Sequence, residues 1–381
     1  MLYRKIGQTN ELVSILGFGC MRLPVIKDDP SKIDYDMALP MIYHAIDAGI
    51  NYFDTAYPYH NGQSEIFLGH ALKGDLREKV KIATKLPVWN IDSREDMDMY
   101  LDIQLERLNT DYIDFYLVHS LNKDFWSKLS GIGLLDFLEN SKKKGKILHI
   151  GFSFHDDVDT FKQIVDSYAW DFCQIQYNIM DEYYQAGRLG LEYGASKGLG
   201  IAIMEPMRGG SLVNMVPSDI LSQWKQIDSK RSPAYWCLHY LWDRNDISLV
   251  LSGMNTMEQL QENINSAKTG FTNILSENEK RVISTVGDMY RSKLAVNCTG
   301  CRYCLPCPAG VYIPLNFKYL NNISIYGDIQ TARKQYINHL GSKRKASNCN
   351  KCGECEPRCP QNIPIRKMLK ITAQKLENSV L

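Results

Sequence analysis

The sequence predicts a (β/α)8 TIM barrel followed by a small, mostly α-helical domain built around cysteine. Two observations carry the barrel and one carries the appended domain. Short apolar runs alternate with longer stretches of helical periodicity eight times over residues 15–267. Those runs are dense in Ile, Val, Phe and Tyr, as strands covered on both faces are. Eight of the eleven cysteines then fall between Cys298 and Cys359, whereas Cys20, Cys173 and Cys237 are scattered. A scattered thiol is usually a small buried apolar group. The 381 residues hold a barrel of roughly 250 residues and one small module. An open doubly wound sheet is the competing solution for the same alternation. The expected bounds are a barrel over 1–275, a connecting helix over 276–297 and a cysteine domain over 298–381.

Each element has its own signal. The strand runs are ILGFG (15–19), NYFDTA (51–56), KIATK (81–85), IDFYLVH (113–119), LHIGFS (148–153), FCQIQY (172–177), IAIME (201–205) and SLVLSG (248–253). The first helix covers Met37–Ala48, where Ile42, Ala45 and Ile46 share a face at helical spacing. The others are Glu65–Leu72, Arg94–Leu108, Leu134–Lys144, Val158–Ser167, Ala186–Lys197, Ala234–Arg244 and Met257–Ala267. Gly49, Gly74, Gly145 and Gly198 sit where helices should stop. A hairpin over residues 3–15 would plug the bottom of the barrel. The longest loop of the barrel follows strand seven, at 209–233, and long loops at that end cover active sites. Residues 276–295 read as one helix leading to the first cysteines.

Net charge is +1, which gives no electrostatic footprint for nucleic acid. No run of 18 apolar residues occurs and the start, MLYRKIGQTNEL, lacks an apolar signal core. The expectation is therefore no membrane span and a reducing cytoplasm, in which clustered cysteines ligate metal rather than pair as disulfides.

Polar residues mark the strand ends. Asp54 ends strand two, Lys85 strand three, His119 strand four and Ser153 strand five, and Gln174 lies in strand six. The carboxyl ends of barrel strands converge on one rim. Tyr59 lies five residues past Asp54, over that rim. A free phenol has a pKa of about 10 and is a weak acid at neutral pH. A neighbouring ammonium stabilises the phenolate. Lys85 can supply it, Asp54 can hold Lys85, Tyr59 can donate a proton to a carbonyl oxygen, and His119 can orient that oxygen.

The segments GINYFDTAYPY, KIATK and DFYLVHS resemble the three catalytic segments of the aldo/keto reductase family, in order, spacing and strand position. The resemblance runs from ILGFGCMRL to about residue 263. It implies a barrel enzyme that uses NAD(P)H to reduce a small carbonyl substrate, with Asp54, Tyr59, Lys85 and His119 as its tetrad. By the same resemblance Gly19 and Met21 lie at the cofactor, and Ser153 and Gln174 hold the nicotinamide carboxamide. Phe154 stands where the family has Asn, and Met204 where it has a stacking aromatic residue. Pro206, Met207, Arg208, Gly209, Gly210 and Ser211 follow, the last five implied to line the pyrophosphate. Glu262 and Asn263 match the adenine-binding pair. Gly253 and Gln259 stand where NADP-dependent members place basic residues, which leaves both NAD and NADP open.

The two cysteine groups are Cys298, Cys301, Cys304 and Cys307, followed by Pro308, and Cys349, Cys352, Cys355 and Cys359, followed by Pro360. The second fits the bacterial ferredoxin run, and the first is one residue short before its fourth cysteine. In two-cluster ferredoxins the fourth cysteine ligates the other cluster. The expectation is therefore one [4Fe–4S] on Cys298, Cys301, Cys304 and Cys359, and a second on Cys349, Cys352, Cys355 and Cys307. Two tetrahedral zinc sites are the alternative. The wide gap between the groups resembles the helical dicluster ferredoxin type.

Three functions follow. The first is an NAD(P)H-dependent carbonyl reductase carrying two clusters. The second passes electrons between the clusters and a substrate or a flavin in the barrel, with ferredoxin or another electron carrier as partner; no flavin fingerprint is present. The third is a non-catalytic electron-carrying module.

Overall fold

The computed structural model describes residues 1–377. A hairpin of β1 (Tyr3–Lys5) and β2 (Leu12–Ser14) precedes eight parallel strands that close into a barrel. These are β3 (Leu16–Gly19), β4 (Tyr52–Asp54), β5 (Lys81–Leu86), β6 (Ile113–Leu121), β7 (Ile147–Phe154), β8 (Phe172–Gln176), β9 (Gly200–Met204) and β10 (Leu249–Ser252), with β10 pairing back to β3. All eight predicted strands are present, and closure excludes the open sheet. The hairpin seals one mouth: Ile6 and Val13 are buried in the same core as Tyr52, Phe115 and Phe172. Gly7, at φ +58, meets Gly200 so closely that a Cβ would lie 2.3 Å from the Gly200 nitrogen, so no larger residue fits the plug.

The helices between the strands are α1 (Tyr35–Asp47), α2 (Gln63–Ala71), α3 (Leu76–Lys79), α4 (Arg94–Leu108), α5 (Lys123–Gly131), α6 (Leu134–Lys143), α7 (Val158–Ser167), α8 (Gly187–Ser196), α9 (Ser218–Ile227), α10 (Pro233–Trp242) and α11 (Met257–Ala267). Caps set several starts. Ser93 and Asp96 form a capping box on α4, and Asp157 and Thr256 cap α7 and α11. Three helices go beyond the sequence reading. α3 is a single turn. α5 starts at the Asn122 cap, whose Oδ1 accepts from the Phe125 amide at 2.8 Å. α9 lies within the long loop, where Ile220 and Trp224, one turn apart, are buried.

The chain divides into two compact units, Met1–Pro206 with Ala234–Ser276, and Met207–Pro233 with Glu277–Leu381. The loop after β9 thus groups by contact with the C-terminal part. The reason is local. Tyr290 donates to the Leu212 carbonyl at 3.0 Å, and Lys293 meets Asp219 at 3.0 Å. This second unit continues through α12 (Glu277–Lys293), α13 (Ile313–Tyr326), α14 (Ile329–Leu340) and α15 (Ile365–Leu376).

The second unit contains an internal repeat. Cys307 and Cys359 are each followed by proline and, six residues on, by the first residue of a helix, Ile313 and Ile365. Val311, Ile313 and Phe317 of one half and Ile363, Ile365 and Leu369 of the other are all buried in one core. No described helix is long and apolar enough to cross a membrane.

Candidate active site and cluster-binding thiols

Strand periodicity builds the rim. Tyr52, Ala83, Leu117, Phe172, Ala202 and Leu251 point into the barrel core. Two residues on is the next inward position. It is Asp54 on β4, Lys85 on β5, His119 on β6, Gln174 on β8, Met204 on β9 and Gly253 just past β10. Ser153 on β7 is in register with Gln174.

The four predicted catalytic residues meet. Lys85 Nζ donates to Asp54 Oδ1 at 2.7 Å, to the Thr55 carbonyl at 2.7 Å and to Tyr59 Oη at 3.4 Å. The Tyr59 and His119 rings stand edge to face, centroids 6.2 Å apart. All four side chains are buried, Lys85 completely. Tyr59 opens a turn in which His60 and Asn61 have φ of 53° and 54°, a left-handed conformation that costs non-glycine residues energy. Hydrogen bonding of His60 Nδ1 with the Pro30 carbonyl, 3.0 Å apart, braces that turn.

Electrostatics follow from burial. Burial pushes Lys85 down and Asp54 up, and their mutual attraction opposes both shifts. His119 is held well below its ordinary value, by burial first and then by the Lys85 charge. It is therefore a neutral imidazole at neutral pH. Behind the strand, Glu65 is fully buried and accepts from Thr84 and Gln104 at 2.7 Å each, and Gln104 also donates to the Lys85 carbonyl at 3.0 Å. This brace fixes the backbone that carries the ammonium.

The residues expected at the nicotinamide suit a carboxamide. Ser153 Oγ accepts from the Ser120 amide at 2.7 Å, which leaves its own proton to donate. Ser120 has φ 49° beside the register shift in β6, and bulges of this kind re-aim side chains next to active sites. Gln174 Nε2 lies 3.6 Å from the Met204 sulfur, while Gln174 Oε1 is a buried acceptor without a protein partner. An unpaired buried acceptor is costly, and a carboxamide N–H would satisfy it. Gly19 ends β3, with its missing Cβ only 3.3 Å from the Ser252 carbonyl, and Met21 is half-buried in the following turn. Pro206 is buried.

At the adenine positions, Asn263 is buried and donates to Ser252 Oγ at 2.9 Å, whereas Glu262 is exposed. Gln259 spends its side-chain oxygen on the Asn255 amide at 3.0 Å. Within the second unit, Met207 and Arg208 are buried, and Arg208 donates to Asn297 Oδ1, immediately before Cys298. Gly210 has φ +90 and packs on Asn214, so a Cβ there would lie 2.4 Å from Asn214 Nδ2.

Sequence reasoning missed three features of the rim. Arg22 pairs with Glu205 at 3.6 Å and packs its stem against Gly253, where an added Cβ would stand 3.2 Å away. Trp89 lies 5.0 Å from the His119 ring. His155 follows β7 and is held down to about 4, by burial first, with Gln185 opposing from 3.2 Å. The available signal was position alone, since each follows directly from a strand end or rim loop.

All eight clustered cysteines lie in the second unit. Cys304, Cys307, Cys349, Cys352 and Cys355 line one cavity together with Glu354, Arg358, Arg366 and Leu369. Cys304 is buried, and after burial its thiol is pushed up by Cys301, Cys298, Cys359 and Cys355. Cys355 is pushed up to about 11, by burial first, with Cys349 and Cys307 adding to it. Cysteines of both runs thus stand together in the folded domain. Crowded thiols are relieved when iron replaces their protons. Among the described residues no three His, Cys, Asp or Glu side chains converge to hold a single ion.

A parallel eight-stranded barrel with Asp, Tyr, Lys and His joined at its rim is an oxidoreductase scaffold, here followed by paired thiol sets. The chain belongs to the aldo/keto reductase family, whose model matches residues 15–274, and a 4Fe-4S dicluster domain matches residues 297–363. It is an aldo/keto reductase-like oxidoreductase with an iron–sulfur domain. It is similar to the NADH-specific methylglyoxal reductase of Escherichia coli K12, 26% identical over 68% of this chain and 91% of that one. L-galactose dehydrogenase of Arabidopsis thaliana is 28% identical over 68% and 86%. Among solved structures, aldo-keto reductase AKR11C1 from Bacillus halodurans, in its holo form, superposes with a TM-score of 0.63 at 24% identity, covering 75% of this chain and 96% of that one; this shows the shared fold.

Proposed function

We propose that the protein reduces a small aldehyde or ketone with NAD(P)H, and that Tyr59 is the proton donor. The observation that carries this reading is the buried relay from Asp54 through Lys85 to Tyr59, at 2.7 and 3.4 Å, beside the neutral His119. The nicotinamide, when bound, supplies a hydride. Ser153 and Gln174 hold its carboxamide, Met204 packs on its ring, and Asn263 and Glu262 meet its adenine. Neutral His119 donates a hydrogen bond to the substrate oxygen and orients it toward Tyr59. Tyr59 gives up its proton to that oxygen, and the Lys85 ammonium stabilises the phenolate left behind. Trp89, over His119, walls the substrate side.

NADH suits the adenine end better than NADPH. Gly253 and Gln259 carry no positive charge, and the Arg22 guanidinium already faces Glu205. The NADH-specific relative supports the same choice. The C-terminal thiols carry two [4Fe–4S] clusters, on Cys298, Cys301, Cys304 and Cys359 and on Cys307, Cys349, Cys352 and Cys355. A reducing cytoplasm suits these clusters and the eleven free cysteines.

Tyr59→Phe tests the barrel reading. It should lower kcat for NADH-dependent carbonyl reduction by about 10²–10⁴-fold while leaving NADH binding intact. Full activity in this variant would refute the role. Iron and sulfide analysis of anaerobically purified protein tests the clusters, with about eight irons per chain expected from two cubanes.

A further inference from the structure

We propose that the Cys307, Cys349, Cys352 and Cys355 site is the protein's electron port, and that it docks an acidic one-electron carrier protein. The inference rests on the two-cluster reading above.

The two thiol sets differ in exposure. Cys352 is exposed, whereas Cys304 of the other set is buried and the remaining six are half-buried. Electrons exchanged with a partner must cross at the set nearer the surface. That set also carries the charge. Between Cys349 and Lys370 the sequence has five basic residues, Lys351, Arg358, Arg366, Lys367 and Lys370, and two acidic ones. All five basic side chains are exposed. One of the acids, Glu356, is tied to Arg366 at 2.6 and 2.9 Å. Arg358 and Arg366 line the cavity together with one acid, Glu354, Lys351 adjoins the exposed Cys352, and Lys370 follows Arg366 by one turn of α15, beside the cavity-lining Leu369. The whole chain has a net charge of only +1, so this positive face is a local concentration. The corresponding stretch around the first group, 298–318, has two basic residues, Arg302 and Lys318, and no acid, against five bases and two acids here.

The face is also polar in a telling way. Among the described residues beyond Ile337, no large hydrophobic side chain is exposed. A surface of cations without an apolar anchor gives fast, salt-sensitive, short-lived association, which is what repeated electron delivery needs. An acidic protein fits it by charge. A lipid surface or a nucleic acid would share the charge but would have no use for an exposed cluster thiol beside it. In the step itself one electron leaves the reduced centre of the carrier and the cluster charge falls by one. No bond forms or breaks and no proton moves.

The test uses the anaerobically purified holoprotein and an acidic plant-type [2Fe–2S] ferredoxin as probe. Its Kd is measured by calorimetry with the oxidised probe, and electron transfer from the dithionite-reduced probe by stopped flow. The triple variant Lys351→Glu, Lys367→Glu, Lys370→Glu should weaken Kd and slow transfer at least about 10-fold at low salt, with the difference shrinking at high salt. A control with the same charge change at exposed Lys73, Lys143 and Lys144 should stay within about threefold of the parent. Both must keep the parent's iron and sulfide content. Should the triple variant lose iron, Lys367→Glu alone takes its place. Equal effects of triple and control, or unchanged binding in an iron-replete triple variant, would overturn the port. So would patch-dependent binding to phosphatidylserine vesicles or to RNA with none to ferredoxin. Fewer than about six irons per parent chain would instead overturn the two-cubane reading beneath it.

Discussion

Replacing Lys85 by Met separates what the lysine does for the fold from what it does for the chemistry. The ammonium is 3.4 Å from Tyr59 Oη and 2.7 Å from Asp54 Oδ1. At an effective dielectric constant of about 20, a unit charge at the first distance favours negative charge on the phenolic oxygen by about 5 kcal/mol. If half of that is expressed when the proton is half transferred, the barrier rises by about 2.5 kcal/mol, roughly a 70-fold loss in rate. Stability changes for a different reason. Met fills the volume but strands the buried Asp54 carboxyl, and removing one partner of a buried pair costs about 3–5 kcal/mol. Asp54→Asn together with Lys85→Met removes the stranded charge and should recover most of that loss, with no recovery of rate. The assay is anaerobic single turnover of NADH with a small aldehyde, alongside thermal unfolding of the same three proteins. A Lys85→Met enzyme within threefold of the parent rate, or a double variant that regains activity, would refute the coupling between Lys85 and Tyr59.

Three further outcomes are expected. In the unfolded chain histidine binds a proton at about pH 6.5, whereas His119 lies well below that value and His155 at about 4. Both contributions are therefore fully present above pH 6.5 and decline below it, that of His155 being lost as pH falls through about 4. His155→Asn should flatten that loss by at most about 3 kcal/mol in acid-unfolding curves, and an unchanged curve would remove His155 from the account. Cys307→Ser should weaken the cluster of the second cysteine run rather than its own, leaving about four irons per chain and one set of cluster signals by electron paramagnetic resonance; loss of the first run's signal instead would reverse the assignment. Asn297→Ala removes the acceptor of Arg208 and should speed limited proteolysis within 209–217 at least about threefold at constant iron content, with no change marking the contact as dispensable.

Much of the barrel was legible because its rules are local. A period of two carries Tyr52 to Asp54 and Ala83 to Lys85, so the strand core and the catalytic rim are one pattern read at two heights. The spacing from Asp54 to Tyr59 then completes the site within one loop. Three helix bounds, at Arg94–Leu108, Val158–Ser167 and Met257–Ala267, were also readable, since a cap residue and an apolar face agree there. What stayed hidden depends on partners distant in sequence. Arg208 stands in the turn read as phosphate-binding, and only the fold brings Asn297 to it, 89 residues later. Arg22 and Glu205 are unremarkable singly and become a pair only when the barrel closes. α9 lay inside what reads as a loop, because Pro217 and the preceding glycines mask two buried residues one turn apart. The dicluster domain was readable from the cysteine spacing, yet the unequal exposure of Cys304 and Cys352 was not, since it depends on how the cysteine-bearing loops pack in the folded domain.

The most direct test of the central claim follows one atom. Under anaerobic conditions, NADH deuterated at C4 on the transferred face is given to the iron-replete protein with a small aldehyde. The account predicts one deuterium on the carbinol carbon per NADH oxidised, and loss of that transfer in Tyr59→Phe at unchanged NADH affinity. Alcohol formed without deuterium, while the cluster absorbance bleaches and recovers, would show that one-electron carriers rather than direct hydride transfer from NADH deliver the reducing equivalents, and would contradict it.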